Sequence, residues 1–210
     1  WIMNDYKTTW GKQLSPKSMS GYVGYFSTAL NAAVRAEVIP ENPFMSLTPS
    51  ERIKVPESKR EFLTIDEIKT LIATECPNEL VKRSYLFSCY CGLRLSDVYA
   101  LKWTDLSQDG EQWRASVIMQ KTTTPIFLPL SGQAVKWLPE RKNANDEDNV
   151  FTGLIAEPNI NKVLAKWTKT AGITKKITYH TSRHTFATMM LTLGADLYTC
   201  LLYTSPSPRD

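Results

Sequence analysis

No run of 18 apolar residues occurs in the 210-residue sequence, so no membrane-crossing helix and no membrane partner are expected. No charged-then-apolar leader opens it, and residue 1 is Trp1 rather than Met. A cytoplasmic protein, and a fragment lacking its front, are the resulting expectations. Cysteine is scarce. Cys76, Cys89, Cys91 and Cys200 form no CxxC pair, and two of them sit in an apolar run. That excludes a disulfide scaffold and points to reduced, buried thiols. Histidine is scarcer still, with only His180 and His184. A zinc hydrolase built on them would lack the Glu that a zincin helix carries between its histidines, and the spacing to the cysteines matches no zinc-ligand pattern. Neither charge sign dominates. The net charge is +4, split as +3 over 1–60, −3 over 61–150 and +4 over 151–210. A polyanion would be met by both ends of the chain rather than the middle. With 42% hydrophobic and 22% charged residues, the composition is that of one large or two unequal globular domains.

What is present is organised by helix signals. Ser15-Pro16 is a helix start, and Met19, Tyr22, Val23, Phe26, Leu30, Ala33 and Val34 follow at helical spacing up to a stop before Pro40 and Pro43. Residues 45–60 are rich in charge and proline and read as a linker. Thr64 and Glu67 form a capping box ahead of Ile68, Leu71 and Ile72. A second helix spans roughly 78–91 and breaks at Gly92, and Ser96 is placed to cap a short helix through Leu101. Asp109-Gly110 signals a hairpin, with strand alternation at Trp113, Ala115, Val117 and Met119. Residues 121–125 make a second turn and Ile126–Leu130 a third strand. Helices resume near 132–139 and 158–171, and from Thr181 to Leu193.

Three pieces stand out chemically. The first is Gly92-Leu93-Arg94-Leu95-Ser96-Asp97, followed by Leu101-Lys102-Trp103-Thr104-Asp105. Alone, Arg94 would be read as a surface residue paired with Asp97. The second is Lys121, which alone is a solvated hairpin lysine. The third is His180-Thr181-Ser182-Arg183-His184, in which His180 and Arg183 share one face at a helix start. Free N–H groups are expected there for an anion.

Together these pieces resemble the tyrosine recombinase family of the phage-integrase type. The family's GLR-x-S-D/E turn and L-x-W-x-D read GLRLSDVYALKWTD here. Its hairpin Lys matches Lys121, and its H-x-x-R followed by H-T-F-A-T reads HTSRHTFAT, with the two arginines 89 residues apart. The resemblance implies a mainly α fold with a small antiparallel β-sheet (α+β). It places a catalytic core at 61–199, preceded by part of a helical core-binding domain at 1–44 and the linker at 45–60. It also implies a site-specific recombinase that breaks and rejoins double-stranded DNA through a phosphotyrosyl intermediate and forms a synaptic tetramer when complete, with no cofactor and no metal. Arg94 and Arg183 would clamp the non-bridging oxygens of the scissile phosphate, since guanidinium forks stay charged and bind bidentately. Lys121 would protonate the leaving 5′ oxygen, and His180 would act as proton acceptor or oxyanion partner.

The sequence departs from the family in two places. Ser182 stands where the family has Leu, which bears on local packing. Family spacing puts a second His or Trp near Pro206 and the Tyr nucleophile past residue 210. Tyr198 and Tyr203 are too close to His180 for that role. The tail 200–210 (CLLYTSPSPRD) resembles translated adapter or vector sequence. An inactive fragment is therefore expected. The alternative is a non-catalytic DNA-binding relative that only occupies a site.

Overall fold

The computed structural model describes residues 6–9, 11–57, 60–118 and 125–195. The backbone packs into two compact units, Trp1–Lys59 and Arg60–Asp210. The fold is mainly α with one three-stranded antiparallel sheet.

In the first unit, helix α1 (Pro16–Arg35) starts where Ser15 accepts a hydrogen bond from the Ser18 N–H and Pro16 fills the first turn. A 3₁₀ turn at Pro43–Ser46 folds back on it. Buried Asn42 fixes that return: its amide donates to the Ser27 carbonyl and to Asn31 Oδ1, and its Oδ1 accepts from the Phe44 N–H. Phe44 then meets Phe26 edge-on at 5.9 Å.

The second unit is built around helix α3 (Glu79–Cys91), which follows α2 (Ile65–Ala73). The Thr64–Glu67 capping box forms in full at the start of α2. Helix α3 is buried nearly all round, through Val81, Tyr85, Leu86, Phe87, Cys89 and Cys91, so it needs covering on every side. On one flank it packs with Ile68 and Leu71 of α2, with Ile160, Leu164 and Trp167 of α6 (Glu157–Thr170), and with Tyr179. On the other, Phe87 and Cys91 meet Trp103, Phe151 and the sheet residues Ala115, Val117, Leu128 and Leu130. Cys89 and Cys91 are free and buried, and burial pushes the Cys91 thiol up to about 12, so it is inert as a nucleophile.

The sheet runs β1 (Leu106–Asp109), β2 (Gln112–Ile118), β3 (Pro125–Leu130). Asp109 pairs with Gln112, and Gly110 in the tight loop has φ +60°. The remaining helices are α4 (Leu95–Ala100), α5 (Gly132–Lys136) and α7 (Thr181–Thr192). Two details differ from the sequence reading. The residue at the N-cap of α4 is Arg94, and Ser96 is already helical. Helix α5 ends at Lys136 and not near 139. The L-x-W-x-D segment is structural. Leu101 and Trp103 are buried, and Asp105 accepts from the Lys102 N–H. Among the described residues, no helix is long and apolar enough to cross a membrane.

Candidate active site

Helices α3 and α7 pack directly on each other, and their ends define the site. Helix α3 stops at Gly92, which adopts φ +73° and donates its N–H to the Ser88 carbonyl. Glycine is required there twice over. Its φ is left-handed, and a Cβ would lie 2.5 Å from Cδ1 of Phe186 on α7. The turn aims the Gly92 carbonyl at Arg183, whose Nη1 donates to it. Two residues on, Arg94 opens α4, and the buried Asp97 carboxylate accepts the Arg94 backbone N–H at 3.1 Å. Asp97 thus holds the Arg94 backbone rather than pairing with its guanidinium. That guanidinium makes no hydrogen bond or ion pair among the described residues.

The approach to α7 is equally constrained. Tyr179 is buried between the helices. Its hydroxyl donates to the Ser84 carbonyl and bonds Ser88, while its N–H donates to Asn161 Oδ1. That fixes the backbone just before His180. Ser182, at the family's Leu position, is 1% exposed, and its hydroxyl donates to the Tyr179 carbonyl at 2.7 Å. The substitution is therefore packed and satisfied. The expected free N–H groups are absent. Thr181, Ser182 and Arg183 donate their N–H groups to the carbonyls of Thr178, Tyr179 and His180. A tight 3₁₀ approach uses them, so an anion must be held by side chains instead.

Arg94, His180 and Arg183 line one small cleft of about 60 Å³, with Leu93, Tyr179, Ser182 and Glu157. Arg183 is only 4% exposed; burial first, and then the Arg94 charge, lower its pKa to about 10. It stays cationic at neutral pH. His180 is exposed at the rim, and His184 stands edge-on to it with ring centroids 4.8 Å apart. Both imidazoles are held below the usual histidine pKa, first by desolvation. Arg183, Arg94 and Arg60 add to this for His180, and His180, Arg60 and Arg183 for His184. Only Glu157 pulls His180 upward. The cleft therefore presents two guanidinium groups beside a neutral imidazole, a combination suited to a phosphate and to accepting a proton. Lys121, Tyr198 and Tyr203 lie outside the described residues, as does Cys200.

Arg60, Glu157, the backbone role of Asp97 and the Gly92–Phe186 contact carry no local sequence signal of a site. Arg60 lies at the end of the charge- and proline-rich stretch 45–60, and Glu157 stands at the start of a helix.

Residues 61–200 match the Phage integrase family, and the chain belongs to that family. Tyrosine recombinase XerC of Shewanella sp. (strain ANA-3) is 28% identical over 199 residues, covering 89% of this chain and 64% of the relative. The XerC of Yersinia pestis is 31% identical over 183 residues, covering 80% and 57%. The chain thus spans less than two thirds of these relatives. Among solved structures, the Tn1549 transposon integrase in complex with circular intermediate DNA superposes with a TM-score of 0.70 at 17% identity, covering 93% of this chain and 73% of that one. The lambda integrase bound to DNA gives 0.69 at 18% identity, with the same coverages.

Proposed function

We propose that this chain is the phosphate-gripping part of a site-specific DNA recombinase or integrase, which breaks and rejoins double-stranded DNA through a phosphotyrosyl intermediate. The observation that carries this reading is the convergence of Arg94, His180 and Arg183 on one cleft in a chain of the Phage integrase family. The relatives named tyrosine recombinases and the DNA in the lambda and Tn1549 integrase structures support it. Arg183, pinned to the Gly92 carbonyl, is preorganised, and Arg94 is available to close on the second non-bridging oxygen. His180, neutral at physiological pH, accepts the proton of an attacking hydroxyl or bonds the developing oxyanion. Lys121 donates the proton to the leaving 5′ oxygen. The covalent protein–DNA link keeps the bond energy, so rejoining needs no ATP. Residues 1–44 act as part of the core-binding domain, 45–60 as the linker and 61–199 as the catalytic domain. In the complete protein, four subunits meet on DNA.

Within the 210 residues, Tyr198 and Tyr203 stand too near His180 in sequence to serve as the nucleophile, so this chain binds without cutting. The test is a nicked suicide substrate. The 210-residue chain should bind it in a salt-sensitive way and form no denaturation-resistant adduct. A longer protein in which genomic sequence stands in place of the tail 200–210 and supplies a Tyr at the family's spacing should form one. Arg94→Ala in that longer protein should abolish the adduct, and Lys121→Ala should slow it by about 10²–10⁴. An undiminished adduct with Arg94→Ala would overturn the reading.

A further inference from the structure

We infer that Arg60 is a third phosphate-binding side chain, holding the DNA backbone phosphate next to the one gripped by Arg94 and Arg183. The inference rests on the phosphate reading of the cleft and extends it to the path of the strand. The segment that opens the second unit is strapped to its neighbours by its own backbone. The Leu63 N–H donates to Thr185 Oγ1 at 2.9 Å, with both residues buried. The Phe62 carbonyl accepts from Lys175 Nζ at 2.9 Å. Thr185 follows His184, whose ring stands against His180. Arg60 stands three residues before the Leu63 anchor, near enough for its charge to bear on both rings of the histidine pair.

Two further observations agree. The Arg60 charge acts on both His180 and His184, whereas that of its chain neighbour Glu61 is not among the charges bearing on either ring. Arg60 is exposed and makes no hydrogen bond or ion pair among the described residues. On the α6 side, the acidic residue lining the cleft is Glu157. Arg60 thus adds positive charge beside the histidine pair, and Glu157 adds negative charge on the α6 side. A polyanionic strand leaving the two-arginine clamp is drawn over the histidine pair toward Arg60 and repelled from the first turn of α6.

The test uses the full 210-residue chain as wild type, Arg60→Gln and Arg60→Lys. The chain has two histidines, so imidazole NMR resolves each. In the free protein, Arg60→Gln should raise the pKa of both rings, and Arg60→Lys should leave them near wild type. Duplex affinity is then measured from 50 to 200 mM salt. Each lost phosphate contact removes about 0.9 from the slope of log K against log salt. Arg60→Gln should lose about that much and Arg60→Lys nearly none. A steep wild-type slope unchanged in Arg60→Gln would overturn the inference and leave the clamp standing. Histidines that ignore Arg60→Gln would overturn it too. A wild-type affinity indifferent to salt would fell both the inference and the phosphate reading beneath it.

Discussion

Replacing Gly92 by alanine tests how the cleft is built. The backbone there is left-handed at φ +73°, which costs a residue with a Cβ about 1–2 kcal/mol. The new Cβ would also lie 2.5 Å from Phe186 Cδ1 and 2.9 Å from Cε1, well inside contact distance. Phe186 is 7% exposed in the packed α3–α7 interface, so relief needs a shift of its ring or of α7. Overpacking of this kind costs about 1–3 kcal/mol, giving about 2–5 kcal/mol in total. Against a domain stability of about 5–15 kcal/mol, that is a large fraction. Urea unfolding followed by tryptophan fluorescence reads it, since Trp167 is fully buried. With a slope of about 1–3 kcal/mol per M, the midpoint should fall by about 1 M or more. Phe186→Leu in the same protein should relieve part of the loss, so the pair should couple by about 0.5–3 kcal/mol. A Gly92→Ala protein within about 0.5 kcal/mol of the parent, or strict additivity with Phe186→Leu, would refute this account of the turn.

The two arginines of the cleft should differ in stability effect, while alanine at either should weaken duplex binding. Arg183→Ala strands the buried Gly92 carbonyl and should cost about 1–3 kcal/mol, whereas Arg94→Ala should stay within about 0.5 kcal/mol by urea unfolding. Both histidines have folded pKa values below the unfolded value of about 6.5, so the unfolded chain binds more protons as pH falls. Their contribution to stability is therefore complete above about pH 6.5 and should be lost as pH drops through the folded values, which thermal melts from pH 7.5 to 5 would show. Glu157→Gln should lower the His180 pKa further and tighten duplex binding at a given salt concentration; weaker binding would contradict the repulsion assigned to it.

Local signals were legible wherever one short stretch decided the outcome. The Thr64–Glu67 capping box, the Asp109-Gly110 turn, Pro16 at a helix start and the break at Gly92 each involve neighbours in sequence, and each appears in the structure. Errors arose where two local solutions compete. Ser96 is a good N-cap residue, yet buried Asp97 reaches back to the Arg94 N–H and starts α4 earlier. The 3₁₀ turns at 178–183, which occupy the N–H groups ahead of Arg183, leave no sequence signature. What no local pattern could show is the juxtaposition of distant segments. The segment after Arg60 is tied to the histidine helix by the Leu63–Thr185 bond, which joins residues 122 apart, and Glu157 lines the cleft from α6, which packs on α3. The buried Ser182 hydroxyl is satisfied by a carbonyl three residues back, so the departure from Leu is absorbed locally.

The proposed role of the Arg94–His180–Arg183 cleft is to receive a DNA phosphate. The most direct measurement follows the imidazole signals of His180 and His184 by NMR while a short duplex is titrated into the 210-residue chain. A phosphate arriving between the two guanidinium groups should raise the pKa of both rings, because it supplies the negative charge that the arginines deny them. Arg94→Ala should remove most of that rise. Duplex binding that leaves both histidines at their free-protein values would contradict the account.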